Sequence, residues 1–501
     1  MNCPLFNPSW RALIFAFLMI FSLPAWTEVD QDHLATFTEE GMALWHVPGM
    51  SVAVVTPDEI LFQQGFGETS INDGVAVDEH TLFAIASTTK AMVVAGILML
   101  MDEGKISLDD PVVRHLPELR FSDPFLTQQI MVRDLLAHRT GLPSTDLWSF
   151  FMNMPLDEQV QRLESVDAEA PLRTRLIYQN TMFELAGLII ERLSGQRWDI
   201  FLTERLWHPI GMMETFGARG EIPPELSHVM PHQYQDEKLA ITAWDLPADL
   251  ADAAGSVWSS LHDMSLWAQF LLRGGMTAND QRLISEAGFA DMFEPHQLAS
   301  EKDFYPTVEL TRPHWRSYGL AWFQQDFQGR RIDFHTGSLS GLIAIIGLDQ
   351  ANDKAVIVLG NRDHAEMRHA LLWEVMDNSG SGRDWNQEVF DLYAGKQADS
   401  EARWRETEQK RLKKTRPSLK LSAYVGDYSS ARNGEIAVVS ENGQLTVRTP
   451  LISLEMQHWH IDTFLVTYQP WDLREFASFQ LTPEGTISSL EFLGDTFVRA
   501  K

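Results

Sequence analysis

Three short clusters carry residue types that could act on a carbonyl group. The first is Ser87-Thr88-Thr89-Lys90, immediately before an apolar run that begins at Ala91. On a helix, positions three apart share a face, so the Lys90 amine can reach the Ser87 hydroxyl. A serine at a helix N-terminus also meets free backbone N–H groups and the positive end of the dipole. The same placement suits a serine that only caps the helix, so S-x-x-K does not decide the matter alone. The second cluster is Tyr178-Gln179-Asn180, the one Y-x-N in the chain, in a predicted loop before a helix expected over 182–193. A phenol beside a lysine can share or lose its proton and act as a base, and an asparagine amide can hold a substrate carbonyl. The third is His335-Thr336-Gly337-Ser338, at the end of a predicted strand. A small glycine on an edge strand allows close approach of substrate, and N–H groups there can complete an oxyanion hole. In isolation, a loop tyrosine or a single histidine is more often structural.

The elements that must position these clusters follow from periodicity. Residues 50–55 and 60–65 alternate as two strands around the turn Pro57-Asp58-Glu59. A helix runs from Thr88 to Glu103 and is closed by Gly104, and the chain is then mostly helical and loop-like to about 290. Strands return at 331–335, 342–349 and 354–360, the last two joined by Gln350-Ala351-Asn352-Asp353. Strands at both ends with helices between them predict an α+β fold whose terminal strands share one antiparallel sheet flanked by helices. Beyond it, 398–420 carries mixed charge and the basic run Lys410-Arg411-Leu412-Lys413-Lys414, read as a solvated linker helix. From Tyr424 onward, short alternating runs separated by turns such as Glu441-Asn442-Gly443 predict a small all-β barrel or sandwich.

Taken together, S-x-x-K, Y-x-N and H-T-G, the first on a helix and the last on a strand, resemble the penicillin-recognising serine hydrolases. The chain is most similar to the class C β-lactamase-related group, which includes D-aminopeptidases, DD-carboxypeptidases and esterases. The resemblance runs over about 30–380. It includes 131–142 with His138-Arg139-Thr140-Gly141, 180–190 with Leu185-Ala186-Gly187, Ala254-Gly255-Ser256-Val257-Trp258, and Tyr318-Gly319-Leu320-Ala321-Trp322. The tail, with Tyr424-Val425-Gly426-Asp427-Tyr428 and His458-Trp459-His460, is similar to the lipocalin-like β domain of some D-amino-acid peptidases. The resemblance implies a β-lactamase/transpeptidase-like fold with Ser87 as nucleophile and Lys90 and Tyr178 moving its proton. It implies that Asn180 and Lys90 orient the acyl chain, and that N–H groups of Ser87 and Ser338 hold the oxyanion beside Thr336 and Gly337. His335 stands where true β-lactamases commonly carry lysine, and is expected to give a polar or cationic wall that titrates near neutrality. Gln179 replaces a commoner serine, which is expected to narrow the site. No dedicated deacylation glutamate is evident, so Lys90 and Tyr178 must serve both half-reactions. The expected activity is acyl-enzyme hydrolysis of amide or ester bonds in a small molecule or peptide, as a peptidase or esterase. A class C-type β-lactamase and a non-catalytic cell-wall binding protein are the alternatives.

Composition bounds this reading. Forty Lys+Arg against 69 Asp+Glu give a net charge of −29, which repels nucleic acid and anionic membranes. A hydrophobic content of 45% supports a packed core rather than disorder. The single cysteine, Cys3, excludes an intrachain disulfide. Arg11, the apolar run 12–23 and Pro24-Ala25 make 1–25 a signal peptide, with an uncleaved N-terminal anchor as the alternative. Export to the periplasm or beyond is the expectation, and the 11-residue run 91–101 is too short to span a membrane. The expected division is 1–25 signal, 26–390 hydrolase domain, 391–420 linker helix and 421–501 β domain. His458 and His460 lie on one face of a strand with Asp462 nearby, but lack a convincing third ligand, so they are read as structural. No metal or other cofactor is implied. The β domain is the candidate surface for self-association or for capping the cleft.

Overall fold

The computed structural model describes residues 29–500 apart from 73, 245 and 469–472, so the expected signal segment lies outside the described residues. Strand β1 (Gly49–Val55) is the continuous apolar run GMSVAVV and is buried along its whole length, as a central strand requires. Its neighbour β2 (Ile60–Gly67) mixes exposed and buried positions and forms one edge. Two short ribbons follow: β3 (Leu82–Ala84) pairs with β6 (Trp258–Ser260), and β4 (His232–Gln235) with β5 (Lys238–Ile241). The remaining main-sheet strands are β7 (Gln297–Leu298), β8 (Arg316–Tyr318), β9 (Phe323–Phe327), β10 (Arg330–Leu339), β11 (Leu342–Asp349) and β12 (Lys354–Gly360). The order β2-β1-β12-β11-β10-β9-β8-β7 is antiparallel throughout and joins the N-terminal strands to the C-terminal ones through β1–β12. This is the α+β, β-lactamase/transpeptidase-like sheet expected from the sequence.

Because side chains alternate across a strand, the sheet divides the core in two. Ala53, Val55, Ala344, Ile346, Ile357 and Leu359 face the helical region and the helix Thr89–Asp102, which is buried from Thr89 to Leu100. Val52, Val54, Ile343, Ile345, Val356 and Val358 face the terminal helices Gln31–Trp45 and Met367–Met376.

A 26-residue helix, Trp385–Lys410, leads away from this domain. Its first turns are anchored by buried Trp385, Asn386 and Val389, and farther along Trp404 packs on Trp459 with ring centroids 5.5 Å apart. Eight strands then pair in sequence from Gly426–Ser430 to Asp495–Arg499 and close into a barrel where Tyr428 meets Arg499. Closure leaves no free sheet edge, which settles barrel against sandwich. The barrel docks on the N-terminal domain around residues 148–151. Trp148 Nε1 donates to Asn433 Oδ1 at 3.0 Å, Thr449 Oγ1 donates to the Phe151 carbonyl at 2.7 Å, and Phe151 packs on Tyr468. Among the described residues, no helix is long and apolar enough to cross a membrane.

Candidate active site

Ser87 lies in a single turn of 3₁₀ helix, Ala86–Thr88, that feeds the helix Thr89–Asp102. Thr88 is the cap residue and no side chain caps the helix, so the hydroxyl of Ser87 is not spent on helix ends. The turn is held tightly. Ala86 adopts a positive φ of 45°, Thr88 Oγ1 donates to the Ile85 carbonyl at 2.8 Å, and Ile85 N donates to the Val257 carbonyl at 2.9 Å. Strand β9 ends opposite Phe334, so 335–339 have no strand on that side and the Ser87 turn packs there instead. A Cβ on Gly337 would stand 2.1 Å from the Ile85 carbonyl oxygen, which no side chain can do. Glycine at this position is what lets the H-T-G strand reach the serine.

Lys90 is fully buried, and its Nζ donates to Ser87 Oγ at 3.0 Å, Asn180 Oδ1 at 2.8 Å and the Ala254 carbonyl at 2.6 Å. Those are the three donors of an ammonium, all satisfied. Burial lowers the amine to about 8 by stripping water from the charged form, against the opposing pull of Asp252, Asp146 and Glu184. Once neutral, the amine keeps two N–H donors for Asn180 and Ala254, both of which can only accept. Its lone pair is then left for the Ser87 hydroxyl. The site therefore holds both protonation states without moving. The Ala254 backbone is fixed in turn by its own N–H, which donates to Asp252 Oδ1 at 2.7 Å and Glu184 Oε1 at 3.3 Å. Burial, and then the neighbouring Asp252, push the Glu184 carboxyl well above its usual range.

Asn180 begins the helix Asn180–Ser194 and bridges Lys90 to Asp146, with Nδ2 donating to Asp146 Oδ1 at 3.0 Å. The Lys90 ammonium lies 5.1 Å from the centre of the Tyr178 ring. The Tyr178 hydroxyl is buried and makes no hydrogen bond of ordinary geometry; burial pushes the phenol well up, with Ser87 acting in the opposite sense. Tyr178 is thus a neutral phenol in the resting site rather than a phenolate. His138 packs on it with ring centroids 4.2 Å apart, and is held well below its usual range by burial and by Lys90. Gln179 is buried and donates to the Pro143 carbonyl, so it turns away from the cleft instead of narrowing it.

Of the polar or cationic wall expected at His335, the cationic form and the titration near neutrality are corrected by the structure. His335 Nδ1 faces the Thr336 carbonyl at 2.6 Å and so carries the proton, leaving Nε2 to accept from the Tyr318 hydroxyl at 3.0 Å. Burial, followed by repulsion from Lys90, lowers it to about 3, and it is neutral at physiological pH. The cation behind this strand is Arg368, buried and paired with Glu366, which donates to the Gly337 carbonyl at 2.5 Å and Ser338 Oγ at 2.8 Å. Thr336 is bonded to the Tyr305 hydroxyl. A small cleft opens over Ser87, lined by Asp146, Phe150, Asn180, Asp252, Ser338 and Leu339.

The structure therefore brings Ser87, Lys90, Tyr178, Asn180 and 335–338 together. Sequence reasoning missed Asp146, Glu184, Asp252 and Arg368. Of these only Glu184 left a local trace, as an acid within the apolar stretch of its helix. In the barrel, the Asp462 carboxylate is taken by Ser418 and Tyr424, and His458 Nε2 bonds to the Ile461 carbonyl at 3.0 Å, so these groups are structural partners. Among the described residues, Glu214, His262 and Asp263 have metal-ligand spacing, with Asp263 already accepting from Glu214 N and Thr215 Oγ1.

Comparison with known proteins agrees with this geometry. The Beta-lactamase family model matches residues 34–380, and a domain of unknown function (DUF3471) matches 410–498. The "Unguisins hydrolase ungD'" of Aspergillus campestris is 29% identical over 426 residues, covering 80% of this chain and 76% of its own. Among solved structures, an octameric penicillin-binding protein homologue from Pyrococcus abyssi superimposes with a TM-score of 0.59 at 19% identity, over 93% of this chain and 99% of that one. A D-amino acid amidase from Ochrobactrum anthropi gives 0.56 at 22% identity, over 70% of this chain and 99% of that one.

Proposed function

The chain belongs to the Beta-lactamase family of serine hydrolases, and from that premise we propose that it is a peptidase or esterase working through an acyl-enzyme on Ser87. Ser87 Oγ attacks the substrate carbonyl carbon and its proton passes to the neutral Lys90 amine. The N–H groups of Ser87 and Ser338 receive the oxyanion, a contribution of about 3 kcal/mol per donor. The Tyr178 hydroxyl protonates the departing nitrogen or oxygen and is itself refilled from the Lys90 ammonium. Water then attacks the ester on Ser87, with the same two groups taking and returning its proton. Asn180 orients the acyl chain.

The observation that carries this reading is the set of three Lys90 contacts, two to obligate acceptors and one to Ser87 Oγ. The names of the relatives, a hydrolase and an amidase, support hydrolysis of an amide-type bond. The neutral His335 favours substrates that need no cation on that wall. Arg11, the apolar run 12–23 and Pro24-Ala25 support work outside the cytoplasm, with the anchored form as alternative. Self-association through the barrel is part of the same proposal, supported by the octameric relative. Hydrolysis of p-nitrophenyl butyrate by wild type and Ser87→Ala tests the chemistry. Turnover is expected to vanish in the variant while its circular dichroism is unchanged; full activity in Ser87→Ala would overturn the proposal.

A further inference from the structure

The cleft over Ser87 also carries information about its substrate, which rests on the hydrolase reading above. Asn180 has one face on Lys90 and the other on Asp146, so Asp146 lies on the side where Asn180 would hold the acyl chain. It is half-buried and lines the cleft beside Ser87 and Phe150. Its backbone is fixed too: Asp146 N donates to Ser144 Oγ at 3.2 Å, and Trp148, two residues on, is tied to the barrel through Asn433.

The charges in this cleft do not balance. Asp146, Asp252 and Glu184 act on Lys90, the one cation among them. Burial raises Glu184 well above its ordinary value and Asp146 above its own, yet three carboxyl groups face one amine, and no cation stands opposite them once Lys90 is neutral and ready to act. No other cation lines the cleft among the described residues. Arg368 lies behind the strand and is paired with Glu366, and Arg219 stacks on Trp244 in a neighbouring apolar cavity. A carboxylate withdrawn from water is costly unless it is paired, so the substrate is the natural source of the missing charge. We propose that Asp146 is a specificity-determining residue that binds an ammonium on the acyl portion of the substrate. The preferred substrates are then amides or esters of amino acids and peptides with a free α-amino group, and acyl groups bearing a carboxylate are rejected.

The test compares kcat/KM for alanine p-nitroanilide and its N-acetyl counterpart, each as the D and L form, in wild type and Asp146→Asn. Asparagine keeps the shape and the acceptor for Asn180 while removing the charge. Wild type is expected to prefer a free-amine substrate, and the variant to lose about tenfold or more of that preference, mainly through KM. Independently of turnover, alaninamide is expected to slow fluorophosphonate labelling of wild-type Ser87 more than N-acetylalaninamide does. A wild-type preference for the N-acetyl compounds, or an unchanged preference in the variant, would overturn the proposal with Ser87 still labelling normally. A folded wild type that takes no fluorophosphonate would overturn the hydrolase reading and this proposal with it.

Discussion

Lys90 can serve as a base only when its amine is neutral, and burial brings that state within reach by lowering it to about 8. The protonated form has no lone pair for the Ser87 proton. Activity therefore rises with pH as Lys90 loses its proton: kcat/KM for a neutral ester is expected to climb through about pH 8 and level off above it. A profile already flat from pH 6 would show that Lys90 is not the titrating base. His335, held neutral across this range, adds no break of its own near pH 6.5. At this scale the site was half legible. Ser87 and Lys90 share a helix face by spacing alone, and Tyr178 and Asn180 stand two apart in the chain where a loop meets a helix. Asp146 and Asp252 come from distant loops with no motif around them, and only folding brings them to Lys90. The neutral state of His335 was hidden for the same reason, because burial and the nearby Lys90 set it, and both arise only from long-range packing.

At the scale of elements, the contact between β10 and the Ser87 turn is the critical joint. Gly337→Ala places a methyl group 2.1 Å from the Ile85 carbonyl and forces the strand off the turn. The variant is expected to lose on the order of 1–3 kcal/mol in urea unfolding, together with slower Ser87 labelling; wild-type values in both would refute the joint. Strands β1, β11 and β12 were readable because they are continuous apolar runs. Strand β9, FQQDF, was not, because its buried Gln324 and Gln325 interrupt the pattern. Gln324 is satisfied there by Ser317 and Asp333, and the Gln325 amide donates to Thr311 Oγ1 at 3.0 Å. Such pairing is invisible to any count of apolar residues. The two- and three-residue strands β7 and β8 are too short to leave any period at all.

For the whole molecule, the barrel matters because of where it docks. Its loops hold Trp148 and Phe151, in the same segment that supplies Asp146 and Phe150 to the cleft wall. Trp148→Phe deletes the indole N–H and strands the buried Asn433 carbonyl, at a cost of about 1–3 kcal/mol. A raised KM with an unchanged rate of fluorophosphonate labelling is expected, and an unchanged KM would show that the barrel does not support the wall. The β character of the tail was legible from its short alternating runs. Its closure was not, since that depends on the first strand meeting the last, and its docking depends on side chains that are ordinary when read one by one.

The central claim is that Ser87 is an activated nucleophile. Intact mass of the full chain after exposure to a fluorophosphonate, with Ser87→Ala alongside, tests it most directly. One adduct on wild type and none on the variant is the expected result. An adduct that persists in Ser87→Ala, or a folded wild type that takes none, would contradict it.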